Sequence, residues 1–68
     1  MYEVDIKLKE ILSMHKLSER ELARRTGIRQ ATINGMCNNE VKLLSLKNIA
    51  AICETLEIEI SDLLKIRK

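Results

Sequence analysis

Glu19 to Cys37 reads ERELARRTGIRQATINGMC, two short segments with apolar faces on either side of a glycine. The first segment opens behind Ser18, and Glu21 follows three residues later. That spacing predicts a capping box: Ser18 accepts from the Glu21 N–H, and the Glu21 carboxylate reaches back to Ser18. Leu17 before the cap and Leu22 inside it occupy the two positions of a hydrophobic staple. Gly27 ends the helix, because glycine adopts the left-handed conformation in which a helix stops and turns sharply. Ile28 tucks inward after the turn. A second helix then runs from about Gln30 to Cys37, with Ile33, Met36 and Cys37 on its inner face. Ala23 is small where the two helices must cross closely.

The pattern extends outward from this centre. Leu8, Ile11, Leu12 and His15 share one helical face, so a helix precedes the motif, with His15 at the end of its dipole. Before it, Tyr2, Val4 and Ile6 alternate with charged residues. That period reads as a short extended arm, or, since Val4 to Leu8 is also a helical step, as the first turn of the helix. Downstream, Asn38 to Leu44 reads as a loop and Ser45 as an N-cap. Leu46, Ile49, Ala50, Cys53 and Leu56 predict a fourth helix. Ser61 and Asp62 would cap a last short helix holding Leu63, Leu64 and Ile66, with Lys65, Arg67 and Lys68 at its C-terminal end, where positive charge suits the dipole.

The composition agrees with a small helical domain. With 46% hydrophobic residues but Tyr2 as the sole aromatic, the core must be aliphatic. A chain of 68 residues has room for one domain. Residues 1–6 form the arm, 18–37 the central pair and 45–66 the C-terminal helices. There is no proline and no repeat. No apolar run approaches the roughly 20 residues that span a bilayer, and charge interrupts the N-terminus too often for a signal peptide. The expected setting is therefore the reducing cytoplasm, with Cys37 and Cys53 as free thiols packed as small apolar residues. Two Cys and His15 fall short of the four ligands of a structural zinc site, so no metal or other cofactor is expected. Neither a phosphate-binding glycine loop nor a recognised pairing of nucleophile and base is present, which argues against an enzyme.

Net charge is only +2, but it is unevenly placed. Residues 1–14 set Lys7 and Lys9 against Glu3, Asp5 and Glu10. Residues 43–68 balance four basic against four acidic groups. The excess lies between: Lys16, Arg20, Arg24, Arg25, Arg29 and Lys42 against Glu19, Glu21 and Glu40. A basic surface centred on two short helices with a tight turn suits helix-turn-helix geometry, where one helix crosses the DNA backbone and the next enters the major groove.

Leu17-Ser18, Glu21-Leu22-Ala23, Thr26-Gly27-Ile28 and Ala31-Thr32-Ile33 together resemble the Cro/cI-type phage-repressor helix-turn-helix (XRE) family. The likeness continues through Leu46, Ile49, Cys53, Leu56 and Ser61-Asp62-Leu63-Leu64. The resemblance implies an all-α domain of five helices that regulates transcription, as a repressor bound to palindromic operator DNA as a homodimer, in the cytoplasm at the nucleoid. It places Gln30 at the start of the recognition helix, where an amide can take both N6–H and N7 of adenine, for roughly 1–3 kcal/mol of discrimination. Ala31, Thr32, Asn34 and Gly35 match the remaining base-facing positions, and Asn38 matches a phosphate contact. Arg29 and Lys42 are placed to reach phosphates, and so is Arg20, or else Arg24 or Arg25.

Three residues depart from the pattern. Ala31 and Gly35 fall furthest outward when Ile33 points inward, yet neither offers a side-chain hydrogen bond. Glu19 lies where the family often has glutamine near a phosphate, and a carboxylate there repels DNA. A protein-interaction module of the same fold, antitoxin-like or anti-repressor, is the alternative reading. A purely structural subunit that dimerises is the third. Paired arms, which would cover Tyr2, Val4 and Ile6, are the expected dimer contact. No membrane and no small-molecule effector is expected within the chain.

Overall fold

A computed structural model describes residues 2–41 and 43–67. In chain order these form β1 (Glu3–Ile6), α1 (Leu8–His15), α2 (Glu19–Thr26), α3 (Gln30–Cys37), α4 (Leu46–Leu56), α5 (Ile60–Leu63) and β2 (Leu64–Arg67). The described residues are mostly helical, with five helices and one two-stranded antiparallel sheet. Lys42 and Lys68 lie outside the described residues.

One aliphatic core joins the helices. Leu8, Leu22, Ile33, Met36, Ile52 and Leu63 are its largest fully buried side chains, and every helix supplies at least one of them. Each such side chain contributes about 1.5–3 kcal/mol on leaving water. Ser18 accepts from the Glu21 N–H at 3.0 Å, and Ser45 from the Asn48 N–H at 3.3 Å. These bonds start α2 and α4 where their sequences place the caps. Leu17 packs against the core that holds Leu22. Three helices stop at a left-handed residue: α1 at Lys16, α2 at Gly27 and α4 at Glu57. Only the middle one is glycine.

Four expectations need correction. The capping box at Ser18 is half made: the Glu21 carboxylate turns to Arg24 and Arg25 instead of Ser18. Two guanidinium groups on the next turn are stronger partners than one backbone N–H. Secondly, α4 buries Ile49, Ile52 and Leu56, while Leu46 is 80% exposed and Ala50 is exposed. The apolar arc of this helix is wide, and Leu46 and Ala50 lie on its margin.

Thirdly, the last helix is one turn long and starts behind Glu59, whose N–H donates to Asp62 at 3.0 Å. Residues 64–67 are not helical but form β2, pairing Glu3 with Arg67, Val4 with Ile66, Asp5 with Lys65 and Ile6 with Leu64. Leu-Lys-Ile-Arg alternates with the period of a strand, and its charges oppose those of β1 across the ladder. Arg67 lies 3.6 Å from Asp5 and also bonds Glu3. Fourthly, the N-terminal arm is extended, as one of its two readings had it, but it pairs within the chain. Its end is tied twice more: Ile6 N–H donates to Asn39 Oδ1 at 2.8 Å, and Lys7 N–H to the Leu63 carbonyl at 2.7 Å.

Candidate nucleic-acid interface

The turn between α2 and α3 is built from three consecutive residues. The Thr26 hydroxyl donates to the Leu22 carbonyl at 2.8 Å and accepts from the Ile28 N–H at 3.2 Å. Gly27, at φ +77°, sends its own N–H to the Ala23 carbonyl at 2.9 Å. Ile28 is buried beyond it. Arg29 is extended, and its carbonyl accepts from Thr32 and Ile33 to start α3. Ile33, Met36 and Cys37 then hold α3 to the core by one face. Its other face is fixed in angle but open to solvent.

That open face carries most of the residues expected to meet DNA. Gln30, Ala31 and Asn34 are exposed on α3, and Thr32 is half-buried beside them. Arg29 precedes the helix and Asn38 follows it, both exposed. Arg20 is exposed on the first turn of α2. Arg20 and Arg29 enter no ion pair among the described residues, so their charge is available to an anion. Arg24 and Arg25 are instead both engaged by Glu21. Lys42 lies outside the described residues.

Gly35 departs from its expected outward position. It is half-buried, and a Cβ there would stand 3.2 Å from Val41 Cγ1. The loop after α3 folds back across it, with the Glu40 N–H donating to the Gly35 carbonyl at 2.9 Å. Its small size admits the loop.

Glu19 is the acidic member of the site. Its carboxylate accepts from Asn34 Nδ2 at 3.1 Å, and Asn34 Oδ1 accepts from Asn38 Nδ2 at 3.2 Å. Nothing in the residue spacing announced this chain of bonds, since Glu19 and Asn34 stand on different helices. Asn39 lies in the segment whose sequence reads only as loop. It holds φ +56°, a conformation asparagine tolerates better than most residues, and ties β1 to the end of α3. The Cys37 thiol beneath the site is pushed up to about 11, first by burial and then by the nearby Glu19 charge. It is a packed, unreactive group. Among the described residues no three His, Cys, Asp or Glu side chains cluster to hold a metal. No helix there is long and apolar enough to cross a membrane.

Comparison with known proteins gives three findings. The family model described as the Cro/C1-type HTH DNA-binding domain matches residues 7–68. An uncharacterised HTH-type transcriptional regulator of Bacillus subtilis (strain 168), YozG, is 34% identical over 62 residues. The match covers 91% of this chain and 74% of that protein. The crystal structure of the transcriptional regulator VanUg superposes with a TM-score of 0.78 at 27% identity, over 97% of this chain and 87% of the other.

Proposed function

Because this chain belongs to the Cro/C1-type helix-turn-helix DNA-binding domain family, we propose that it is a sequence-specific transcriptional regulator that lays α3 in the major groove. It acts in the cytoplasm, at the nucleoid, as a repressor: occupying an operator is enough to exclude polymerase. The observation that carries this reading is the face of α3. Gln30, Ala31 and Asn34 are exposed there, with Arg20 and Arg29 at its edges in no ion pair among the described residues, while the opposite face is locked in the core. Polar groups on such a face read base edges, and flanking cations hold the backbone.

Gln30 reads adenine, Ala31 touches a thymine methyl, and Thr32 and Asn34 complete direct readout. Arg20, Arg29 and Asn38 hold phosphates, with Lys42 assigned the same role from its place in the sequence. Gly35 is removed from base contact, since Val41 covers it.

The operator is palindromic and the protein a homodimer, because two recognition helices double the readout that one short helix offers. The sheet supports self-association. Val4 and Ile66 are cross-strand partners on its apolar face and are 52% and 64% exposed. Beside them Val4, Ile6, Asn39, Val41, Leu44 and Leu64 line a groove of about 270 Å³. A second copy fits this surface because ridge and groove lie side by side on one chain, as an isologous contact requires. The charges of the opposite face neutralise one another within the sheet.

Selection from a random duplex library, followed by titration against scrambled DNA over a salt series, tests the reading. A two-fold-symmetric winner preferred by at least about 10³ is expected. Weak, equal and salt-sensitive binding to both would leave only the electrostatic attraction of a basic surface and would favour the protein-interaction module.

A further inference from the structure

Asn34 is not a free side chain on the open face of α3. Its Nδ2 donates to Glu19 Oε1 at 3.1 Å, across to α2, and its Oδ1 accepts from Asn38 Nδ2 at 3.2 Å, one turn further along. A carboxylate only accepts, so it dictates which end of the Asn34 amide faces it. An amide has two N–H donors and two carbonyl lone pairs. These two bonds use one of each, and one of each remains.

One donor and one acceptor on a single amide are what adenine requires at its major-groove edge. We propose that Glu19 is a positioning residue for base readout: with Asn38, it holds the Asn34 amide in one orientation, so that its remaining N–H and lone pair meet an adenine. The inference rests on α3 being the DNA-reading helix.

The same residue weakens overall attraction. Among the described residues no lysine or arginine forms an ion pair with Glu19, so its charge faces the phosphates unneutralised. Its place in the first turn of α2 tolerates that charge, because the helix N-terminus is positive. Glu19 thus trades affinity for selectivity. A side chain held in its bound conformation beforehand loses less freedom on binding, and a fixed amide orientation rejects the wrong base more strongly.

Two substitutions separate the charge from the positioning. Glu19→Gln removes the charge and keeps an oxygen that accepts from Asn34. Glu19→Ala removes both. Both variants should bind scrambled duplex DNA several-fold more tightly than the native chain, since each lacks the repelling carboxylate. Only Glu19→Ala should lose preference, by about tenfold, at one base pair of each half-site. Asn38→Ala should weaken preference at that same base pair, and Asn34→Ala should abolish it there.

The experiment is selection from a random duplex library with the native 68-residue chain and these four variants, each checked for a native melting transition. Unchanged preference in Glu19→Ala, or a loss spread evenly over all positions, overturns the positioning role and leaves DNA reading by α3 intact. Failure of the native chain to select any sequence overturns both. Loss of preference confined to one base pair in Glu19→Ala, with a native melting transition and with the preference kept in Glu19→Gln, is the result that a merely structural Glu19 would not give.

Discussion

Gly35 lies directly beneath Val41, so close that a methyl group at position 35 would sit 3.2 Å from Val41 Cγ1. Inside a helix glycine costs up to about 1 kcal/mol relative to alanine. Gly35→Ala therefore gains helix propensity and loses contact geometry, and the two nearly cancel. In a Val41→Ala background the crowding is gone, and the same substitution should stabilise by about 0.5–1 kcal/mol more than in the native chain. A thermal or urea double-mutant cycle reads this coupling. Additive effects would mean that the loop does not rest on Gly35. DNA preference should not change in Gly35→Ala, because the added methyl points at the loop and not at a groove.

The helix ends make a second prediction. Glu57 closes α4 in the left-handed conformation at φ +55°, with the Ile58 N–H bonded to the Cys53 carbonyl at 3.0 Å. A side chain strains that conformation, and a carboxylate there also faces the negative end of the helix dipole. Both costs have the same sign. Glu57→Gly should raise stability by about 0.5–1 kcal/mol, the relief of strain exceeding the added freedom of the unfolded chain. Gly27→Ala should do the reverse and cost about 1–2 kcal/mol, because Gly27 holds φ +77°. Open space around Gly27 does not help, since the penalty lies in the backbone. Equal melting temperatures across these variants would refute the account.

These cases show which parts of the molecule are legible in the sequence. Residues 18 to 37 were legible because cap, turn and core all act within a few residues: Ser18, Gly27 and Ile33 do what their spacing requires. The end of the chain was not. Leu64-Lys65-Ile66-Arg67 is a strand only because β1 lies beside it, and that pairing joins the two ends of the sequence, Glu3 with Arg67 at one end of the ladder and Ile6 with Leu64 at the other. The same holds in the site. The resemblance to the phage-repressor motif places Gln30, Ala31 and Asn34, whereas the Glu19–Asn34 bond depends on how two helices pack, which no local pattern encodes. Gly35 is half-buried because the loop beside it folds back from outside the helix, which helical period alone does not reveal.

Acid should act on α2 through Glu21. Hydrogen bonds from Arg24 and then Arg25 hold its carboxyl at about 2, below the ordinary 4.5. The folded value is the lower one, so the contribution is full above about pH 4.5 and is lost as pH falls toward about 2. The groups are open to solvent, so salt screens the effect. Native protein should lose more stability than Glu21→Gln across that window, and the gap should narrow in high salt. Parallel stability curves for the two proteins would show that the ion pairs contribute nothing.

The sheet predicts the assembly. Deleting residues 1–6 would remove β1 and leave β2 unpaired, confusing folding with association. Ile66→Lys is the cleaner change, because Ile66 is 64% exposed and its neighbours on the strand are already charged. It should leave the melting transition within about 0.5 kcal/mol of native, as surface substitutions do. Sedimentation should show a dimer for the native chain and a monomer for the variant. Val4→Lys, on the paired residue, should behave alike. A dimer that persists in both variants places the two-fold contact elsewhere.

The last prediction divides Arg29 from Gln30, neighbours at the start of α3 with different tasks. Arg29 is exposed, outside the helix and in no ion pair among the described residues, so in the proposed function its charge acts on phosphates whatever the base sequence. Arg29→Ala should weaken binding to the selected operator and to scrambled DNA by about the same factor and lower the salt slope by about 1. Gln30 carries no charge and sits on the exposed first turn. Gln30→Ala should leave the salt slope unchanged and relax one base position by about tenfold, roughly the 1–3 kcal/mol of a bidentate amide contact. The two effects come from different physics, so they should add in the double variant unless the phosphate contact also sets the register of Gln30 over its base. Excess loss of preference in the double variant would reveal that register coupling. If both substitutions leave affinity, slope and preference untouched, α3 does not enter the groove, and loss of a protein partner becomes the phenotype to measure.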